Sequence, residues 1–208
     1  MKIFSIEGNI GSGKSTIIKY LKENVNCIDD KKIIYLDEPV DEWGKIKDSS
    51  GVTILEKYYS DSTKYAFSFQ MMAFITRIKQ IKESLNDDAI IIMERCIYTD
   101  KQIFAKMLYD SGTIDDIEYS VYLLWFEYFV NEIKIDGYIY IKIQPGVCLE
   151  RIKSRNRQGE HSIQLEYLQN IEKYHDNWLY ADAKNTLFIN DIDFDIIIKD
   201  ILNFVKIN

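Results

Sequence analysis

Two histidines, two prolines and three cysteines in 208 residues exclude several kinds of chemistry. His161 and His175 are too few and too far apart to form a metal site, and Cys27, Cys96 and Cys148 are scattered with no C-x-x-C pair. No zinc signature is present, and an odd, dispersed set of thiols suits a reducing compartment better than a disulfide scaffold. Basic residues are in deficit, 26 Lys and Arg against 33 Asp and Glu, giving a net charge of −7. That balance disfavours a general nucleic-acid binder but permits a local basic pocket for a small anion. No apolar run is long enough to span a membrane. A glycine-rich motif starting at Gly8 leaves no space ahead of it for a signal or transit peptide. Repeats, low-complexity tracts and linkers are also missing. The expectation is one domain over residues 1–208, cytoplasmic, without nucleic-acid or membrane partners.

What the chain does have is Gly8-Asn9-Ile10-Gly11-Ser12-Gly13-Lys14-Ser15, followed by Thr16. An apolar run before it reads as a buried strand, and Ile17, Ile18 and Leu21 after it read as a helix; a phosphate-binding loop works only in that setting. The glycines let backbone N–H groups approach phosphate oxygens, and the helix N-terminus adds partial positive charge. Lys14 reaches the outer phosphates and Ser15 is a magnesium ligand. The chain therefore handles a nucleoside triphosphate.

Short apolar runs alternate with helical patterns. Candidate strands are Lys2–Glu7, Lys32–Asp37, Ala89–Met93, Tyr138–Ile143 and Thr186–Ile189, and one clear helical stripe carries Phe67, Met71, Phe74, Ile78, Ile81 and Leu85. The pattern predicts an α/β phosphate-loop fold, a five-stranded parallel sheet with helices on both faces. Functional groups are expected beyond the carboxyl ends of the strands. Glu38, just before Pro39, and the pair Glu94-Arg95 stand at two such ends. Phosphoryl transfer to a hydroxyl calls for a carboxylate to take the proton, a cation to steady the acceptor and magnesium nearby. A structural ion pair is the plainer reading of either site alone.

Gln70, Ala73 and Arg77 share a stripe beside the apolar one; Gln70 suits a nucleobase edge, and Asp100 is positioned to pair with Arg77. Arg151, Arg155 and Arg157 surround a loop and suit a lid over triphosphate charge, with a basic surface helix as the plain alternative. Between Glu118 and Ile133 the chain is apolar almost all round. Tyr119, Tyr122, Phe126 and Val130 form one face; Val121, Leu124, Trp125 and Tyr128 form another. The second face is read as a two-fold contact between subunits or as a helix sandwiched within the monomer.

Together these elements resemble the deoxynucleoside kinases of the deoxycytidine kinase and deoxyguanosine kinase branch, over almost the whole chain and in the same order. The resemblance rests on Gly8–Ser15, Glu38-Pro39-Val40 with Trp43, Phe69-Gln70, Glu94-Arg95 and the arginine segment. It implies that ATP or another triphosphate donates to the 5′-hydroxyl of a 2′-deoxynucleoside. Glu38 would then be the base and Arg95 would hold the hydroxyl, with Ser15 and Glu94 serving Mg2+. Tyr59 and Glu160 would hold the 3′-hydroxyl. Phe69 and Phe104 would sandwich the base, Trp43 and Leu55 would close its pocket, and Gln70 would read its edge. Arg151, Arg155 and Arg157 match a lid at about 151–160, and Asp193-Phe194 matches the loop under the donor's base.

By the same resemblance, Arg77 and Asp100 favour deoxycytidine and purine deoxynucleosides over thymidine, because the charged pair crowds the thymine methyl. Ala73 leans towards the deoxycytidine kinase pattern, while the run Ile103-Phe104-Ala105-Lys106 is as close to deoxyguanosine kinase, which leaves the ranking of bases open. Three departures stand out: Cys96 where serine is usual, Lys57 and Tyr58 where methionines are common, and no N-terminal extension. The alternatives are a thymidine-accepting, broad-specificity kinase, a nucleoside monophosphate kinase, and a nucleotide-binding module without catalysis.

Overall fold

The computed structural model of the protein describes residues 1–85, 88–131, 133–155, 157, 160–190 and 193–208, with the side chain of residue 161 left out. In chain order the elements are β1 (Lys2–Gly8), α1 (Lys14–Asn24), β2 (Cys27–Ile28), β3 (Lys31–Leu36), α2 (Val40–Trp43), α3 (Ile54–Ser60), α4 (Ser62–Ser84) and β4 (Ala89–Glu94). There follow α5 (Ile97–Thr99), a π-helical turn (Asp100–Ala105), α6 (Lys106–Asp110), α7 (Asp116–Val130), β5 (Gly137–Ile141), α8 (Pro145–Arg155), α9 (Leu165–Leu179), β6 (Thr186–Ile189) and α10 (Phe194–Ile207).

The sheet runs β2-β3-β4-β1-β5-β6. The five strands expected from the sequence are its parallel part, but the sheet has six, because β2 pairs antiparallel with β3. Asp29 and Asp30 make the hairpin at φ 47° and 64°, a two-residue turn of the kind that Asn-Gly or Asp-Gly usually announces. Asp-Asp hides that signal. The expected Tyr138–Ile143 strand begins one residue earlier and ends at Ile141 as the chain turns towards Pro145.

Alternation along each strand divides the core in two. Ile3, Ile91, Met93, Tyr138 and Tyr140 face α4, α7 and α9, while Phe4, Ile6, Ile90, Ile92, Ile139 and Ile141 face α1 and α10. Helix α4 buries Phe74, Ile78 and Ile81, with Phe67 and Met71 half-buried; Leu85 falls just past its end and is exposed. Helix α7 starts with an Asp115–Glu118 capping box and turns Tyr122 and Phe126 inward. Its other face leaves Ile117, Leu124, Trp125 and Tyr128 exposed, Tyr128 by 78%. Among the described residues no helix is long and apolar enough to cross a membrane. The chain leaves β1 towards β3 on one side and leaves the neighbouring β4 towards β5 on the other, so the two connections part between β1 and β4 and open the crevice that such sheets use for ligands.

Candidate active site

The phosphate loop joins β1 to α1 and is fitted against its surroundings by glycine. A Cβ on Gly8 would lie 2.5 Å from the Ile141 carbonyl oxygen, and one on Gly11 would lie 2.6 Å from that of Cys148. Both residues have positive φ, so side chains are disfavoured by contact and by conformation alike. Lys14 Nζ donates to the carbonyls of Gly8 (3.2 Å) and Asn9 (2.8 Å) and lies 3.9 Å from Glu94. Burial lowers its pKa to about 8; Arg95 acts in the same direction, against Glu94. The Ser15 hydroxyl donates to Glu94 Oε1 at 3.0 Å. Asn9 faces away from the crevice and donates to the Leu168 carbonyl at 2.8 Å, tying the loop to α9.

Across the crevice, Arg95 Nη1 donates to Glu38 Oε1 at 2.8 Å and Nη2 to the Gly8 carbonyl at 3.3 Å. Burial alone would raise the pKa of Glu38, but Arg95, Arg77 and Lys14 outweigh it and hold it at about 2. Glu38 is therefore an ionised carboxylate pinned at the end of β3. Deeper in, Arg77 Nε donates to Asp100 Oδ2 at 3.0 Å, with both residues almost wholly buried. The same guanidinium donates through Nη1 to the carbonyls of Glu94 (2.9 Å) and Arg95 (3.2 Å), and its Nη2 lies 3.6 Å from Glu38.

Aromatic side chains from α2, α3 and α4 form one wall. Tyr58 stacks on Phe69 at 4.7 Å, and Trp43 meets Phe69 edge-on at 5.4 Å. The Trp43 indole N–H donates to Thr76 at 3.0 Å. Phe104, carried by the π-helical turn, lies under the Arg95 guanidinium at 4.9 Å. Gln70 is 2% exposed and its amide oxygen has no partner among the described residues, an unmet demand that a ligand donor would satisfy.

Arginines from α8 and beyond close the loop side. Arg151 Nη1 donates to the carbonyls of Gly11 (3.4 Å) and Ser12 (3.2 Å). Arg155 grips Glu160 through Nε (2.8 Å) and Nη2 (2.7 Å), and Arg157 Nη1 lies 3.4 Å from the same carboxylate. Within the expected 151–160 segment, Asn156, Gln158 and Gly159 lie outside the described residues.

One cavity of about 540 Å³ gathers most of these groups. Ile10, Gly11, Gly13, Lys14, Ser15, Thr16, Glu38, Glu94 and Arg95 line its loop end, and Trp43, Leu55, Tyr59, Phe69, Gln70, Ala73, Arg77, Asp100 and Phe104 line its far end. Arg151, Arg155, Arg157 and Glu160 line its side. Gly8, Asn9 and Ser12 form the back of the loop and do not face it. Asp193 and Phe194 are not brought to it either. Asp193 caps α10, accepting from Asp195 and Ile196, and Phe194 meets Tyr20 edge-on at 5.1 Å. The sequence reading missed Tyr167, whose hydroxyl lies 3.4 Å from that of Tyr58, and the acidic Asp37 and Asp41 at the rim. Only the docking of α9 brings Tyr167 in, so no local signal marks it.

Residues 4–205 match the family model described as deoxynucleoside kinase. The chain is 38% identical to a probable deoxycytidine kinase of fowlpox virus, over 86% of this chain and 72% of that one. It is 32% identical to deoxycytidine kinase 2 of Gallus gallus, over 97% and 82%. It is also 29% identical to the mitochondrial deoxyguanosine kinase of Xenopus laevis, over 91% and 77%.

Proposed function

This chain belongs to the deoxynucleoside kinase family, and on that premise we propose that it transfers the γ-phosphoryl group of ATP or another nucleoside triphosphate to the 5′-hydroxyl of a 2′-deoxynucleoside, with deoxycytidine and purine deoxynucleosides ahead of thymidine. The observation that carries this is the juxtaposition of the Glu38–Arg95 pair with Lys14 and Ser15 at one end of a cavity whose far end holds the buried Arg77–Asp100 pair. An acceptor that already bore a phosphate would need cations, whereas Glu38, Tyr59 and Glu160 suit a neutral sugar.

In this reading the acceptor O–H donates to Glu38, which takes the proton as the new O–P bond forms and the bond to the leaving nucleoside diphosphate breaks. A loose transition state leaves the hydroxyl protonated until late, so a weakly basic carboxylate serves if it is well aimed. Arg95 aims it and steadies the acceptor oxygen. Lys14, the loop N–H groups and Arg151 stabilise the negative charge of the donor phosphates, and Arg155 and Arg157 belong to a lid over about 151–160.

A phosphotransferase of this kind generally uses a metal ion. Among the described residues no cluster of three or more His, Cys, Asp or Glu side chains forms a metal cage. The Ser15 hydroxyl and the Glu94 carboxylate, 3.0 Å apart, fit Mg2+, which takes few hard oxygen ligands from protein and the rest from phosphate and water. They would hold it, and it would supply charge neutralisation at the donor phosphates. Three free cysteines fit a reducing, cytoplasmic setting. One kinase domain over residues 1–208 pairs with a second copy through the exposed face of α7, since a helix face meeting itself across a two-fold closes the assembly.

A coupled assay with each deoxynucleoside, using ATP and UTP, tests the reading. Glu38→Ala should lower kcat by about a hundredfold or more while ATP binding stays near the wild-type value. Wild-type turnover in that variant would remove Glu38 from the mechanism.

A further inference from the structure

Arg95 has φ +59°, the left-handed region that a side chain other than glycine occupies only where its surroundings enforce it. The enforcement is visible on every side. The Arg95 N–H donates to the Ile6 carbonyl at 3.0 Å, and its own carbonyl accepts from Arg77 at 3.2 Å. The next N–H, that of Cys96, donates to the Thr99 hydroxyl oxygen at 3.1 Å. That hydroxyl spends its one proton on Glu7 Oε1 at 2.7 Å, and the same oxygen accepts from Ser5 at 2.5 Å. Glu7 Oε2 faces His175 Nε2 of α9 at 3.8 Å. Ser5, Glu7, Thr99 and His175 are all fully buried, and none of them lines the cavity.

The direction of these bonds matters. A threonine hydroxyl has one proton and two lone pairs. With its proton committed to Glu7, a lone pair is fixed towards Cys96. A carboxylate that can only accept thus forces the hydroxyl to serve as an acceptor where the strained turn needs one.

We propose that Thr99, oriented by Glu7, is a positioning residue for Arg95: it holds the left-handed turn that directs the guanidinium towards Glu38 and the acceptor hydroxyl. The inference rests on the reading of Arg95 as the group that steadies that hydroxyl.

Thr99→Val keeps the buried shape and removes the hydroxyl; Thr99→Ser keeps the hydroxyl. Thr99→Val should lower kcat about tenfold or more, with the KM for ATP unchanged and the protein folded by thermal melting. Thr99→Ser should restore most of the loss. In an Arg95→Ala background, adding Thr99→Val should cost less than about twofold further. Wild-type kcat in Thr99→Val, equal impairment of both Thr99 variants, or additive losses in the double variant would each overturn the proposal while leaving the role of Arg95 intact. Wild-type turnover in Arg95→Ala would instead refute the reading beneath it, and the proposal with it.

Discussion

Replacing Arg77 with Met is expected to do two separable things, because the structure gives this guanidinium two jobs. It neutralises Asp100 in a site where both side chains are almost wholly buried, and it donates to the carbonyls of Glu94 and Arg95. Removing one partner of a buried ion pair costs about 3–5 kcal/mol because the other charge is stranded. For a chain of this size each kcal/mol shifts Tm by about 2–4 °C, so the stranded Asp100 charge alone should lower the Tm of Arg77→Met by roughly 6–20 °C. Adding Asp100→Ala removes the stranded charge and should recover much of that loss. It cannot restore the two backbone carbonyls, each of which costs about 1–3 kcal/mol when buried without a donor. For the same reason kcat should fall with every nucleoside in both variants, since the Arg95 turn loses an anchor. Selectivity should move independently: clearing the charged pair makes room for a methyl, and kcat/KM for thymidine relative to deoxycytidine should rise about tenfold or more in the double variant. Calorimetry and steady-state kinetics on the single and double variants give all three quantities. A double variant with an unchanged kcat/KM ratio would refute the base-pocket argument. A single variant melting within a degree or two of wild type would refute the burial argument.

Three further outcomes follow, two from the phosphate loop and one from α7. Burial holds Lys14 near pKa 8 in the free protein, and phosphate charge beside it should raise that value. ATP binding at pH 8 should therefore take up about half a proton, and at pH 6 almost none from this group. Titration calorimetry in buffers of different ionisation enthalpy measures this, and no uptake at pH 8 would show that Lys14 is charged before the nucleotide arrives. In folding, the buried Lys14 ammonium is a destabilising group. The unfolded lysine, at 10.5, holds the proton that the folded one has lost, so this group adds stability as pH rises from about 8 towards 10.5. On α7, Leu124→Glu with Trp125→Glu should convert a species of twice the chain mass into monomer by sedimentation; a wild-type chain that sediments as a monomer would refute the two-fold contact.

How far the sequence led depends on whether the deciding force was local. The short apolar runs of Lys2–Glu7 and Ala89–Met93 and the three-and-four spacing of Phe67–Ile81 reflect burial, and those elements stand where these patterns predict. Glu38 and Arg95 could be singled out because the chain must turn after each strand, which leaves those residues at the crevice. Arg77 and Asp100, 23 residues apart, carry opposite charges on elements expected to lie close, and the structure joins them at 3.0 Å. The two-residue β2 strand, the left-handed φ of Arg95, the entry of Tyr167 and the Ser5–Glu7–Thr99 chain were not legible. The last three depend on contacts between segments far apart in sequence, whereas β2 pairs locally with β3 through an Asp29-Asp30 turn that carries no glycine to announce it. The resemblance assigns Arg77 to base choice alone, but its bonds to the carbonyls of Glu94 and Arg95 join the far end of the cavity to the reacting end. Substitutions at Arg77 that retune base choice must therefore supply another donor to those carbonyls, or turnover will fall whichever base is favoured.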